Sequence, residues 1–258
     1  MGDRLLLDWE TVRSSGLGHG NSRIEDAFND GVFTFEDRHL PGMWRISDGV
    51  GGGNIGHTFE LDGTDEESLT RAYVWGRKSL LEYERYYKEY LQGFEGIELL
   101  STGSLLGVRE TRRIIGDYIL NLDDFRSLAV FDDEIGRYSY PIDIHIAKPD
   151  KESYEAFHKE FTTMRLKKGE SYGIPYRVLT PKGLTNVLVA GRCVSTDRSM
   201  QASIRVMPGC YITGQAAGVA AAMVAGSGGD AHALNVPELQ LRLKQLGAYL
   251  PNFRRSGN

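Results

Sequence analysis

Two segments near the middle of the sequence contain side chains suited to acid–base and anion chemistry. Histidine titrates near neutral pH and can transfer protons, so His145 is a candidate, although a lone histidine is often only a structural group. Arg109, Arg112 and Arg113 lie within five residues, and their guanidinium groups could anchor a carboxylate. Because side chains alternate along an extended strand, Arg112 would lie opposite the other two. We predict His145 as an acid or base and Arg112 as a second catalytic residue.

A second candidate site lies in the last third of the chain. Val187–Ala190 is an apolar run ending at Gly191, typical of a strand buried on both faces of a layered sheet. A Gly/Ala-rich segment from Pro208 to Ala225 follows, with Pro208 suited to a first helical turn and Gly226 to the end of a helix. The amino terminus of such a helix presents unpaired N–H groups and the positive end of the helix dipole. This pattern indicates a place where negative charge on a cofactor could be stabilised.

Three further helices are predicted from apolar spacing and capping residues. The first begins with a capping box of Thr64 and Glu67 and ends near Gly93, and its regularly spaced tyrosines indicate core packing. The second runs over Lys151–Arg165 after Asp150, and the last is capped by Asn235. Residues 138–146 are predicted as a strand interrupted by Pro141.

Five glycines crowd the segment from Gly49 to Gly56. A phosphate-binding loop is one interpretation, but a dinucleotide loop must follow an apolar strand and open a helix. The flanking residues fit that context poorly. A turn or hairpin is therefore the preferred prediction.

Composition narrows the function classes. The 258 residues carry a net charge of -5, which does not favour binding to nucleic acid or to an anionic membrane. The apolar stretch from Cys210 to Ala225 is too short and too rich in glycine to be a good membrane span. The two cysteines fit no metal spacing, so no metal site is predicted. The amino terminus does not resemble a secretory signal, and a cytoplasmic location is the default expectation.

Four blocks, in order, resemble a family of FAD-dependent oxidoreductases related to fumarate reductase and glutathione reductase. The resemblance covers roughly Trp44 to Leu250. The blocks are Gly107–Gly116, Tyr140–His145, Tyr172–Arg177 and the carboxy-terminal flavin motif, which runs from Asn186 through Ser203–Pro208 to Gly218.

The resemblance implies an FAD cofactor and a set of residues that would contact it. Gly191 would let the chain approach the ribityl group with Arg192 beside it, and the backbone amides of Arg205, Val206 and Met207 would lie near the pyrimidine edge of the flavin. Without the resemblance, a tight turn at Gly191 and core packing of Met207 would be the preferred interpretations.

The resemblance also predicts an organisation. Residues 1–170 form an α+β substrate-binding region, and residues 171–258 form the carboxy-terminal strand and helix of an α/β, Rossmann-like FAD-binding lobe. The strand–turn–helix unit that holds the FAD pyrophosphate in such enzymes is not recognised, so a missing amino-terminal segment or a separate subunit is expected to supply it. A small molecule is the expected substrate. The alternative is a non-catalytic subunit or incomplete module that assembles with a separate FAD-binding chain.

Overall fold

The computed structural model describes residues 23–38, 43–146, 148–226 and 229–254. The chain forms two compact units: unit 1 comprises residues 1–107 and 146–157, and unit 2 comprises residues 108–145 and 158–258. These units differ from the functional ranges 1–170 and 171–258, whose roles remain predictions. The described helices are α1 (Ile24–Asn29), α2 (Glu66–Tyr90), α3 (Leu122–Arg126), α4 (Lys151–Thr163), α5 (Arg198–Ile204), α6 (Met207–Ala225) and α7 (Val236–Gln245). The described strands are β1 (Met43–Ser47), β2 (Val50–Gly53), β3 (Glu134–Tyr138) and β4 (Tyr172–Pro175).

Unit 1 contains α1, α2 and the hairpin β1–β2. The strands pair antiparallel with Met43 opposite Gly53, so the glycine cluster forms a hairpin, as predicted, and opens no helix. The tyrosine face of α2 supplies much of the core, which confirms packing as the role of these side chains. The buried core residues are Ala27, Val32, Tyr83, Tyr86, Tyr87, Leu91 and Phe94.

The predicted start of α2 needs one correction. Asp65, not Thr64, is the N-cap, and its carboxylate accepts a hydrogen bond from the Ser68 amide. Thr64 instead donates its hydroxyl to Asp62 in the preceding turn. A carboxylate at the cap also lies at the positive end of the helix dipole, which favours Asp65 over the neighbouring threonine.

Unit 2 contains a second antiparallel pair, β3 and β4, with Tyr138 opposite Tyr172. Helix α6 packs against β3 and α7, and a large aliphatic and aromatic cluster fills the unit. The mixed helices and small antiparallel sheets agree with the predicted α+β class. Only the first residue of the strand predicted over 138–146 lies in a strand, because β3 ends at Tyr138 and Pro141 lacks the N–H that pairing requires.

The prediction of a doubly buried strand at Val187–Ala190 was wrong. This segment is only partly buried and forms no strand in the described structure. The Val189 amide donates to the Leu179 carbonyl at 2.8 Å. A regular strand needs paired neighbours along its length, and the described residues place none beside this segment.

The helix ends in the last third follow their predicted signals. Pro208 lies in the first turn of α6, and Gly226 is its C-cap. Asn235 caps α7 by accepting from the Glu238 amide at 3.2 Å. Among the described residues, no helix combines the length and apolarity needed to cross a membrane.

Candidate active site

Unit 2 brings His145 next to an arginine and a carboxylate. Arg109 Nη1 contacts His145 Nε2, and Asp143 Oδ2 lies 3.3 Å from the same nitrogen. Arg205 Nη2 donates to the backbone carbonyl of Asp143 at 2.6 Å. All four side chains are partly buried. The cluster therefore joins the predicted histidine to two arginines and an aspartate.

The two neighbours of His145 Nε2 favour different protonation states of the ring. Arginine can only donate, so its contact is a hydrogen bond when Nε2 carries a lone pair. A carboxylate can only accept, so the Asp143 contact is a hydrogen bond when Nε2 carries the proton. A gain or loss of the Nε2 proton thus exchanges one partner for the other. The ring can therefore change its protonation state without leaving Nε2 unpaired.

Asp143 stays ionised despite its burial. Desolvation alone would raise its pKa, but the hydrogen bond to His145 and the positive charges of His145, Arg205 and Arg109 lower the pKa on balance. The nearby Tyr140 hydroxyl has a raised pKa, chiefly through burial and then through the Asp143 charge. Asp143 is therefore a lasting negative charge beside the imidazole, which stabilises a protonated ring.

A short helix holds the arginines in position. Asp197 caps α5 by accepting from the Met200 amide at 2.7 Å, and Arg205 is the residue that ends this helix. Gln201, buried in α5, donates its side-chain amide to the Arg109 carbonyl at 2.8 Å. The segment carrying Arg109 is thus tied to the helix that carries Arg205.

A buried relay anchors the segment that carries Asp143 and His145. Ser203 Oγ donates to the Tyr140 carbonyl at 2.7 Å. Because that hydroxyl proton is used, the 2.7 Å contact between Tyr172 Oη and Ser203 Oγ is a bond donated by the tyrosine. Burial raises the pKa of Tyr172 far above its ordinary value, so the phenol remains a donor. The irregular segment after β3 is therefore fixed without strand pairing.

Gly191 links the second candidate site to α6. It has φ +81°, and its amide donates to Thr213 Oγ1 at 3.0 Å. That hydroxyl in turn donates within α6, with the Gly209 carbonyl at 3.1 Å. A Cβ at Gly191 would meet nothing within 4 Å. Gly191 is needed for its left-handed backbone, and the surface above it is open.

The beginning of α6 is also open. Its N-cap, Val206, supplies no side-chain hydrogen bond, and Met207 is 67% exposed, so Met207 is not the core residue of the alternative interpretation. Farther along, Gly214 and Gly218 have open space where a side chain would be. The Gly209 amide in the first turn is bonded to the Tyr138 hydroxyl, and the exposed start of α6 lies in the helix that Gly191 contacts through Thr213, which leaves room for the edge of a flat, electron-accepting ring. The residues predicted to contact the flavin therefore fit such a group.

The arginines predicted from the sequence differ in their contacts and exposure. Arg192 donates from Nη1 to the Val108 carbonyl, so it braces the segment before Arg109. Arg113 pairs with Glu110, and Arg112 is exposed. His145 is contacted by Arg109, whereas the catalytic role of Arg112 remains a prediction. Asp143 was missed, although its position two residues before His145 places both on one face of an extended segment.

Unit 2 is thus an α+β scaffold with a histidine–carboxylate–arginine cluster and an exposed helix start at Met207. A family model for FAD dependent oxidoreductases matches residues 16–243, and the chain belongs to that family. No curated protein and no solved structure matched the chain.

Proposed function

We propose that this chain is part of an FAD-dependent oxidoreductase that acts on a small organic substrate, with His145 as the proton-transfer residue. The observation that carries the proposal is the position of His145 Nε2 between Arg109 and Asp143. When bound, the flavin would exchange a hydride with the substrate at N5. The protein's own task is to hold the substrate and manage its proton.

The cluster performs this task through charge and hydrogen bonding. A protonated His145 donates toward Asp143, and a neutral His145 accepts from Arg109, so the ring has a partner in either state. The relay from Tyr172 through Ser203 keeps the supporting segment in register. Arg112 is retained as a second substrate-orienting candidate because its exposed guanidinium has the right chemistry.

Gly191, Arg192 and the backbone of Arg205, Val206 and Met207 are the proposed flavin contacts. The open surface at Gly191 admits close approach, and the positive end of α6 would stabilise negative charge on the pyrimidine edge. The FAD-binding half is proposed to be a Rossmann-like lobe, completed by a segment or subunit that holds the pyrophosphate. A cytoplasmic location remains part of this proposal.

A visible absorption spectrum of the purified chain, taken after mixing with FAD and removing the excess by gel filtration, tests the flavin site. Because the segment that holds the pyrophosphate is proposed to be separate, we expect only weak retention of flavin absorbance, which Gly191→Ala reduces further. Gly183→Ala is the matched control, because Gly183 has φ +83° and equally open surroundings. Equal losses in both variants would assign the effect to backbone strain, and no retained flavin in any variant would refute an autonomous flavin site.

A second candidate function is a non-catalytic subunit that assembles with a separate FAD-binding chain. The exposed, glycine-rich side of α6 favours it, because Gly214 and Gly218 leave a smooth surface uncovered. Flavin retained by the isolated chain would oppose this candidate. Absence of flavin from the isolated chain, together with its recovery on adding an FAD-binding chain, would support it.

A further inference from the structure

The partly buried arginines of this protein fall into two groups. In the described residues, five arginines have intermediate exposure. Three of them form ion pairs with carboxylates: Arg38 with Glu25 and Glu36, Arg113 with Glu110, and Arg137 with Glu134. Within the described part of the chain, Arg109 and Arg205 have no carboxylate oxygen within the 4.0 Å that defines an ion pair. These two guanidinium groups keep charge that the protein itself does not neutralise directly.

Arg205 shows this most clearly. Within the described residues, its guanidinium donates one hydrogen bond, to the backbone carbonyl of Asp143, which leaves most of its five N–H donors for another acceptor. Burial lowers the pKa of Arg205, and the positive charge of Arg109 lowers it further, so the two guanidinium groups are near enough to repel. A partly desolvated pair of like charges is costly to maintain unless a ligand compensates it.

The neighbouring carboxylates neutralise only part of the positive charge of Arg109 and Arg205. Asp143 supplies one carboxylate for two arginines, and that carboxylate faces His145. The carboxylate of Glu110 is engaged by Arg113. With a neutral imidazole, Arg109, Arg205 and Asp143 together retain one positive charge, which matches a monoanionic group.

We propose that the substrate carries a carboxylate and that Arg109 and Arg205 bind it beside His145. This inference rests on the proposed function. A planar carboxylate matches the fork of a guanidinium group, and two such forks can engage its two oxygens. Binding there would place the rest of the substrate next to the proton-transfer residue. Arg205 would therefore act through its side chain, in addition to the backbone contact assigned to it at the flavin edge.

NMR titration of the isotope-labelled, flavin-free chain tests the proposal without relying on activity. Propionate is the probe, propionamide is its neutral counterpart, and inorganic phosphate tests for a phosphate site, all at constant ionic strength. We expect propionate to shift the side-chain signals of Arg109, Arg205 and His145 saturably, and propionamide to leave them in place. Phosphate, which is in large part dianionic at neutral pH, should bind more weakly than propionate, because the cluster has one net positive charge and therefore matches a monoanion.

Arg109→Gln and Arg205→Gln should each weaken propionate binding roughly ten-fold through loss of charge-assisted hydrogen bonds. Arg109→Lys should recover part of the affinity, and a dispersed spectrum would show that each variant folds. Arg198→Gln is the matched control, because Arg198 is an exposed arginine of the same unit. Equal shifts with propionate and propionamide, no saturable shift, tighter binding of phosphate, or equal weakening in Arg198→Gln would each overturn the proposal.

The flavin spectrum and this titration test separate claims, so either claim can be refuted while the other stands. Retained flavin with no specific propionate binding would leave the proposed cofactor site standing and remove the carboxylate assignment. Propionate binding that depends on both arginines, without retained flavin, would support the anion site and remove the autonomous flavin site.

Discussion

Unit 1 and the cluster around His145 in unit 2 use partly buried charge in different ways. In unit 1, Arg38 is bound by two carboxylates: its Nε lies 2.7 Å from Glu25 Oε1, and its Nη2 lies 2.9 Å from Glu36 Oε2. The buried Asp37 is likewise bonded to His57 Nδ1 at 2.8 Å. In unit 2, Arg109 and Arg205 surround His145 and Asp143 without a direct ion pair.

The electrostatic environments of Arg38 and Arg205 differ accordingly. The hydrogen bond that Arg38 donates to Glu25 raises the pKa of Arg38 against the opposing effect of burial, so its environment stabilises the cation. Burial and the charge of Arg109 lower the pKa of Arg205, so its environment opposes the cation. Paired arginines should therefore matter for stability, and the Arg109–Arg205 pair should matter for binding.

The largest expected effect is at a paired arginine inside unit 2 itself. Glu134 is 2% exposed and binds Arg137, whose side chain is 7% exposed. Glu134→Ala should destabilise unit 2 by about 3 kcal/mol, because it leaves a buried guanidinium without its carboxylate. Amide hydrogen exchange in β3 and β4 would measure the loss. Glu238→Ala, which removes an exposed i,i+4 pair with Arg242, should change stability little, and a comparable loss there would contradict the prediction.

Arg38→Gln should have the next largest effect, a loss of about 2 kcal/mol in unit 1. Glu25 and Glu36 are more than half exposed and regain water when the arginine is removed, which limits the cost. All three tryptophans lie in the first 75 residues, so tryptophan fluorescence during denaturation reports on this unit. Arg23→Gln is the control, because its single pair with Asp26 is exposed. Equal losses of stability in Arg38→Gln and Arg23→Gln would contradict the prediction that the ion pairs of Arg38 stabilise unit 1.

Local sequence signals predicted the helix ends of unit 2 well. Pro208, Gly226 and Asn235 act through backbone geometry and capping within one or two turns, and these interactions are encoded by adjacent residues. Helix α5 was missed because its seven residues include the buried polar side chains Gln201 and Ser203, which hide the apolar pattern.

Interactions between distant residues were harder to predict. The pairing of Arg109 with His145 spans 36 residues, and nothing in local spacing distinguishes Arg109 from Arg112 as its partner. The apolar run Val187–Ala190 has the composition of a strand, but strand formation depends on neighbours that its own residues do not specify. The sequence therefore drew attention to His145 and Gly191, whose roles in a site remain predictions, but it could not predict the contacts that each makes with distant residues.

The ion pair between His232 and Asp117 in unit 2 should make a smaller, pH-dependent contribution to stability. His232 Nδ1 lies 2.6 Å from Asp117 Oδ2, and Nε2 lies 3.0 Å from the Leu184 carbonyl, so both nitrogens must carry protons to make both bonds. The Leu184 carbonyl and then Asp117 raise the pKa of His232 above its ordinary value. Asp230 adds to the increase, while burial opposes it, and Lys182 faces Asp117.

Because the pKa of His232 is higher in the folded state, protonated His232 stabilises the fold fully at pH values below the ordinary imidazole pKa of about 6.5. This stabilisation is lost as the pH rises through the folded-state pKa. Unit 2 should therefore lose about 1 kcal/mol over this window, because the pair is partly exposed. Hydrogen exchange or chemical denaturation followed by circular dichroism at several pH values would measure it. His232→Gln should flatten the dependence, and an unchanged pH profile in that variant would assign the effect to other groups.

Arg205→Gln should have the smallest effect on stability, less than about 1 kcal/mol in either direction. The substitution loses the bond to the Asp143 carbonyl but also relieves burial of a charge and its repulsion by Arg109. Denaturation of unit 2 followed by circular dichroism would measure the change, beside Glu134→Ala as the paired-arginine reference. A loss as large as that of Glu134→Ala would make Arg205 a structural residue. A near-neutral result combined with weakened propionate binding would instead show that this guanidinium is maintained for a ligand, because the fold itself gains little from it.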